Sequence, residues 1–279
     1  MLGQRIVTAV VLLAILVGTL MAASPLPFAA LVLALAAAGA WEWARMNGAS
    51  PAMAVGHGVV VVAVGAMAGL MGWWPADLPA WFWPAVTLGW MVLLVLSLRA
   101  GVDGWRRLPA LGRAEAGVVL MLLTAMAVLA LRERGVAFLL SVCCIVWVCD
   151  TGAYFTGRLM GRTKLAPTVS PGKTREGLAG GVLTAMALGV VWWQLAPEPQ
   201  SSFFAAMGER RGLAGVVIWT GLLAALSALG DLFESLVKRA AGVKDSSQLL
   251  PGHGGVLDRM DALLPVLPAA MALLTWVVV

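Results

Sequence analysis

Long apolar stretches follow one another along almost the whole chain, and no other feature constrains the fold as much. Nine stretches of roughly 20 mostly apolar residues, the length that crosses a bilayer as a helix, can be drawn at about 4–22, 26–46, 53–74, 79–98, 114–131, 135–157, 177–196, 212–237 and 256–279. Hydrocarbon offers the backbone no hydrogen-bond partners, so each stretch must satisfy its own N–H and C=O groups, and the helix does so. Composition agrees: of 279 residues, 61% are hydrophobic and 12% charged, and the mean hydropathy is +0.92. That leaves too little polar surface to wrap a water-soluble particle of this size. The sequence therefore predicts an all-α, polytopic integral membrane protein with about nine transmembrane helices. Residues 1–113 read as four N-terminal spans forming a scaffold and lipid groove, and 114–279 as the part that carries the chemistry.

The first 24 residues look like a signal peptide, with Arg5, an apolar core and Met21-Ala-Ala-Ser24, but they are read here as the first span. Lys and Arg favour cytoplasmic loops. With the N-terminus in the cytoplasm and an odd number of spans, Arg132, Arg134, Arg210 and Arg211 fall outside, and the other fifteen of the 19 basic residues fall inside. The polar connections near 99–113, 158–176 and 238–255 then share the cytoplasmic side. The net charge of +5 is explained by this anchoring, so nucleic acid is not a partner. Trp73, Trp74, Trp81 and Trp83 read as an outer interfacial belt. Cys143, Cys144 and Cys149 lie in one apolar run without zinc spacing and read as packing residues. Glu42, between Trp41 and Trp43, reads as an interfacial residue beside Arg45, and His57 as a hydrogen-bonded structural histidine.

Charge is concentrated near the C-terminus, where Asp231, Glu234, Asp245, Asp258 and Asp261 mix with Lys238, Arg239, Lys244, Arg259 and His253 between strongly apolar flanks. On a helix, Asp231, Ser235 and Lys238 fall within about 60° of one another, since four residues turn ~400° and seven ~700°. Asp258 and Asp261, three apart, share a face at the start of the last span. Gly252, Gly254 and Gly255 lie between, where backbone must turn tightly or approach a ligand closely. The eighth and ninth spans read as antiparallel neighbours with their acid-bearing ends together.

Two further stretches carry polar groups. Asp150 enters the end of the sixth span, one turn before Tyr154, the chain's single tyrosine, and an intramembrane carboxylate is a functional candidate. Ser170-Pro-Gly-Lys-Thr-Arg-Glu-Gly177 precedes the seventh span. It lacks the upstream glycine of a phosphate-binding P-loop, Pro167 standing in its place. Ser170, Lys173, Thr174 and Arg175 at a helix start can nonetheless receive an anionic oxygen.

Hard oxygen ligands suit Mg²⁺, which binds one or two carboxylates and shares its other positions with water and phosphate. Asp231 and Asp258 are the expected ligands, with Asp261 third or supporting, and a second cation is compatible. Lys238, Arg239, Lys244, Lys173 and Arg175 are the expected phosphate contacts, and His253 would touch a nucleotide or order its loop. Basic residues around a metal suit phosphoryl or nucleotidyl transfer, in which a protein mainly positions reactants and neutralises charge.

The run Ser235-x2-Lys-Arg239-x4-Lys244-Asp245-x7-His253-Gly-Gly255-x2-Asp258-Arg259-x-Asp261 resembles, at every fixed position over 27 residues, the signature of the phosphatidate cytidylyltransferase (CDP-diacylglycerol synthase) family. Asp150-Thr-Gly-Ala-Tyr and Ser170-Pro-Gly-Lys-Thr look like family features in the expected order, so the likeness runs at motif level from about 145 to 265. Arg175 departs from it, standing where the family more often has an aromatic residue. The resemblance implies that phosphatidic acid attacks the α-phosphorus of CTP to give CDP-diacylglycerol and pyrophosphate, with Mg²⁺, for phospholipid biosynthesis. It also implies a bacterial plasma (inner) membrane enzyme whose active site faces the cytoplasm, with membrane lipids around it; a homodimer is compatible. Transfer of CMP to another lipid phosphate is the nearest alternative. An ion-coupled transporter would explain buried carboxylates, but not the one-sided Lys, Arg and Gly beside them.

Overall fold

The computed structural model describes residues 2–72, 78–196, 198 and 201–277. In chain order these form α1 (Leu2–Leu20), α2 (Leu26–Met46), α3 (Pro51–Leu70), α4 (Phe82–Arg107), α5 (Ala110–Arg134), α6 (Val136–Met160), β1 (Lys164–Ala166), β2 (Ser170–Thr174), α7 (Arg175–Leu195), α8 (Phe203–Ala241), α9 (Leu257–Met260) and α10 (Leu263–Val277). The all-α expectation holds apart from one two-stranded antiparallel hairpin that pairs Lys164 with Thr174 and Ala166 with Ser170. Among the described residues, seven helices, α2 to α8, are long and apolar enough to cross a membrane. The first expected stretch gives a shorter apolar helix, Arg5–Leu20, and the last is shared between α9 and the 15-residue α10. The protein is a multi-pass membrane protein. Many of its apolar side chains, such as Val10, Leu13, Val59, Leu96 and Leu183, are exposed, the exterior of a protein solvated by hydrocarbon.

Local chemistry sets several boundaries. Ser50 caps α3, its Oγ accepting from the Met53 N–H at 3.3 Å. Thr174 caps α7, its Oγ1 accepting from the Gly177 N–H at 3.1 Å. α8 is broken at Gly212, whose φ of 60° belongs to the left-handed region open to glycine, so the span expected from residue 212 begins at this break. The preceding turns are buried rather than interfacial: Phe203, Phe204 and Met207 have no exposed surface. Ser141 Oγ accepts from the Phe203 N–H at 3.1 Å.

The chain makes two compact units, and neither is a single stretch. Unit 1 comprises Met1–Pro75, Val102–Leu129 and Val237–Asp261; unit 2 comprises Ala76–Gly101, Ala130–Leu236 and Ala262–Val279. In unit 1, α1 and α3 pack on α2. The Trp43 and Trp105 rings meet edge to face at 6.1 Å. Their indole N–H groups donate to the Arg113 carbonyl at 2.7 Å and to Asn47 Oδ1 at 3.0 Å. In unit 2, α6 packs along α7, and Trp90 meets Phe233 edge to face at 6.1 Å. Trp83 is buried against Phe82 rather than interfacial, whereas Trp81 is exposed. Trp73 and Trp74 lie outside the described residues.

Candidate active site

In unit 2, small residues let two backbones come together. A Cβ on Gly181 would lie 2.9 Å from Ala153 Cβ and press on the Cys149 carbonyl, and one on Gly177 would lie 3.2 Å from the Gly157 Cα. Close small-residue packing is how membrane helices associate without a hydrophobic driving force. It brings the polar end of α6 against the β1–β2 hairpin and the first turn of α7. Glu176 locks the hairpin by accepting from the backbone N–H groups of Arg162 and Thr163 at 3.1 Å.

A cavity of about 580 Å³ opens there, lined by α6 through Asp150, Tyr154 and Arg158, by the hairpin through Gly172, Lys173 and Thr174, by α7 through Gly177 and Leu178, and by α8 through Asp231. Three of the expected site residues, Asp150, Lys173 and Asp231, thus share one cavity. The Lys173 ammonium forms an ion pair with Asp231 Oδ2. The Ser235 hydroxyl donates to Asp231 Oδ1 at 3.3 Å, as the four-residue spacing predicts. Arg158 donates to the Tyr154 hydroxyl at 3.1 Å. Ser170 and Arg175 stand outside this lining: Ser170 pairs with Ala166 in the hairpin, and exposed Arg175 donates its backbone N–H to the Thr163 carbonyl at 2.9 Å.

In unit 1, the last turn of α8 and the start of α9 meet through Lys238 and Asp258, whose Nζ and Oδ1 are 2.7 Å apart and mostly buried. Asp258 Oδ2 accepts from the Ser246 N–H at 2.9 Å, the Ser246 hydroxyl at 3.0 Å and the Gly255 N–H at 2.8 Å. Burial pushes the Asp258 carboxyl up, but the Lys238 hydrogen bond, the Gly255 and Ser246 N–H groups and the Lys238 charge outweigh it and hold the group below the usual carboxylate range. Arg239 donates to the Val243 carbonyl at 3.0 Å. Lys244 is exposed. The His253 carbonyl accepts from the Arg259 guanidinium, at 3.1 Å from Nε, and the Asp261 N–H donates to the Leu257 carbonyl at 2.9 Å.

Glu42 is not an interfacial partner of Arg45. It is fully buried. Its Oε1 accepts from the Ser247 hydroxyl and, at 2.9 Å, from the Val256 N–H. Its Oε2 accepts from the Leu257 N–H at 2.7 Å and lies 3.1 Å from the Ser246 hydroxyl, whose single proton it shares with Asp258 Oδ2. A carboxylate on α2 thereby fixes both sides of the 246–257 segment and the start of α9. Arg45 instead lies over the Trp41 ring, 4.7 Å from its centroid. His57 is structural in part, with Nδ1 2.6 Å from the Met53 carbonyl, and its Nε2 lies 3.3 Å from Glu115 Oε1. The close approach expected around the glycines is made to the protein itself: a Cβ on Gly255 would collide with Ser246 Oγ and Glu42 Oε1, and Gly254 turns at φ 86°.

Each unit holds carboxylates that could take a divalent cation only by exchanging protein donors: Asp258 already accepts from Lys238, Ser246 and Gly255, and Asp231 from Lys173 and Ser235. Asp150 and Asp231 line the unit 2 cavity, and Asp258 and Asp261 lie on one short helical stretch of unit 1. Among the described residues no three His, Cys, Asp or Glu side chains form a ready metal cage. Mg²⁺ asks for less, since water and phosphate oxygens complete its shell. Glu42, Ser246 and Arg158 are not among the site residues the sequence points to. For Glu42 the signal was present, because the cost of a carboxylate inside an apolar span applies to it as fully as to Asp150; Ser246 carries no such signal.

Residues 3–277 match the cytidylyltransferase family. The chain belongs to that family. It is 36% identical, over 96% of its own length and 96% of the relative's, to the phosphatidate cytidylyltransferase of Haemophilus influenzae. It is also 36% identical to the protein of the same name from Pseudomonas aeruginosa, over 98% of this chain and 97% of that one. A phosphatidate cytidylyltransferase of Brucella suis is 41% identical over 67% of this chain and 61% of its own.

Proposed function

We propose that the protein transfers CMP from CTP to phosphatidic acid, giving CDP-diacylglycerol and pyrophosphate for phospholipid synthesis, at the cytoplasmic face of a bacterial plasma membrane. The observation that carries this reading is full-length similarity to relatives of that name, joined to a cavity in which Lys173 and Arg158 stand among the carboxylates Asp150 and Asp231. An oxygen of the lipid phosphate attacks the α-phosphorus of CTP, the new P–O bond forms, the bond to the β-phosphate bridging oxygen breaks, and pyrophosphate leaves. The nucleophile is already an anion, so no general base is needed. The physical problem is to bring two anions together, and preorganised positive groups solve it. Lys173 and Arg158 contact phosphate oxygens in unit 2, and Lys238, Arg239 and Lys244 do so in unit 1. Glu42 and Ser246 hold the segment bearing Asp258.

Asp231 with Asp150 in unit 2, and Asp258 with Asp261 in unit 1, would hold Mg²⁺, which would supply further neutralisation of phosphate charge. Asp231→Asn and Lys173→Met test this reading. Each is expected to lower CTP- and phosphatidate-dependent pyrophosphate release by about 10²-fold or more without shifting the melting temperature. Turnover within threefold of the parent in both variants would remove this cavity from the reaction.

A further inference from the structure

A second cavity, of about 430 Å³, lies wholly within unit 1, and the 235–261 run reaches it only through variable positions, Ala240, Ala241, Val243 and Ser246. Arg45 and Asn47 at the end of α2, Arg106 at the end of α4, Ala110 and Arg113 at the start of α5, Ala240 at the end of α8 and Ser246 line it. No carboxylate is among its lining residues. We propose that this cavity is a phosphate-binding site in which Arg45 and Arg113 are the principal contacts. The proposal rests on the transfer reaction above and adds to it a binding site for one of the reactants.

Three observations support it. First, three guanidinium groups line one space whose lining holds no carboxylate, so an entering anion meets positive charge from several sides; Arg45 and Arg106 are exposed, and Arg106 Nη1 lies 3.9 Å from Asp103 Oδ1, which leaves Arg113 as the guanidinium with least compensation. Arg106 is partly occupied, since its Nε and Nη2 donate to the Ala240 and Arg239 carbonyls at 2.9 and 3.2 Å. Arg45 has its ring contact with Trp41. Arg113 Nε is shielded from solvent and has no hydrogen-bond partner among the described residues. Second, α5 begins at Ala110 in the cavity wall, and Arg113 sits in its first turn. A cation at the positive end of a helix is unfavourable by itself, whereas an anion there is favoured by both the helix and the guanidinium.

Third, the floor is rigid. Asn47 Oδ1 accepts from Trp105 Nε1 at 3.0 Å, Asn47 Nδ2 donates to the Trp43 carbonyl at 2.9 Å, and the Arg113 carbonyl accepts from Trp43 Nε1 at 2.7 Å. An arginine that only anchored the protein to lipid headgroups would need no such setting. The wall also reaches the chemistry: Ser246 lines the cavity and donates its backbone N–H to Asp258 at 2.9 Å. The volume lies within the range of small-molecule sites.

The test uses the full-length protein in detergent and in nanodiscs, as the parent and as the Arg45→Gln/Arg113→Gln double variant. Calorimetric titration with pyrophosphate and the KM for CTP read the nucleotide source. The KM for phosphatidate in nanodiscs reads the lipid source. The double variant is expected to weaken one of these by about tenfold or more, with Arg113→Lys restoring part of the loss. A shift in pyrophosphate affinity and CTP KM assigns the site to the nucleotide, and a shift in phosphatidate KM assigns it to the lipid headgroup. No shift in either, with an unchanged melting temperature, overturns the proposal.

Should the double variant fail to fold, phenylglyoxal labelling of the parent decides. Protection of Arg113 by pyrophosphate or by phosphatidate upholds the site, and equal labelling with and without both overturns it. A parent protein that neither binds nor consumes CTP would instead defeat the transfer reaction itself, independently of these variants.

Discussion

Replacing Glu42 by Gln perturbs the 246–257 segment without changing any group placed at the reaction. Each oxygen of this buried carboxylate takes two donors: Ser247 Oγ and the Val256 N–H on one, Ser246 Oγ and the Leu257 N–H on the other. Glutamine keeps one oxygen and presents an NH2 group in place of the other. Whichever way it is oriented, one backbone N–H loses its acceptor and faces another donor, and one serine hydroxyl has to turn, Ser246 toward Asp258, with which it is already in contact. Hydrogen bonds to a charged acceptor contribute about 1.5–3 kcal/mol each, and a buried donor left unpaired costs about as much again as its desolvation. Losing the N–H bond and leaving that donor unpaired should cost about 3–5 kcal/mol.

At about 2–4 °C per kcal/mol for a chain of this size class, the melting temperature should fall by about 6–20 °C. Tryptophan fluorescence of the detergent-solubilised protein reads the melt, and pyrophosphate release reads turnover. Turnover should fall at temperatures where the variant is still folded, because the segment carrying Asp258 loses its register. Ser247→Ala, which removes one donor and leaves the carboxylate, should shift the melt by less than half as much. A Glu42→Gln variant that melts within 2 °C of the parent and keeps full turnover would refute this role for Glu42.

Two other outcomes follow from the same segment. Gly255→Ala should destabilise the protein by about 2 kcal/mol or more, read by the same melt, because its Cβ would collide with Ser246 Oγ and Glu42 Oε1 and neither can withdraw without breaking a hydrogen bond. Asp258 is held below the usual carboxylate range. Its contribution to stability should therefore be complete above about pH 4–5 and be lost as the pH falls through its lowered folded value. A pH series of melting temperatures should show this acid limb, and Asp258→Asn should flatten it.

Much of the fold could be read from the sequence because hydrocarbon permits so few structures. An apolar stretch of about 20 residues that must satisfy its own backbone is a helix, and α2 to α7 fall close to where those stretches were drawn. The span expected from residue 212 began at a real break, although Gly212 sits inside one continuous helical element whose first turns are buried. The hairpin was not legible. Its strands are three and five residues long, too short for alternation to show, and it is held by the Glu176 carboxylate rather than by pattern.

For the site, local spacing did well where the contact is local. Ser235 reaches Asp231 one turn away. The Gly-rich turn was recognised, but not that its glycines make room for Glu42. The contact between Glu42 and Ser246 joins residues 204 positions apart, and nothing in a periodicity can pair them. Lys173 on the hairpin and Asp231 on α8 are likewise far apart in the chain and meet only in the packed structure.

Labelled transfer reads the reaction itself. Purified protein incubated with CTP labelled at the α-phosphate, Mg²⁺ and a panel of lipid phosphates should move label into CDP-diacylglycerol with phosphatidic acid, releasing one pyrophosphate for each lipid labelled. Absence of labelled lipid with phosphatidic acid, or efficient labelling of a different lipid phosphate in its place, would contradict the account.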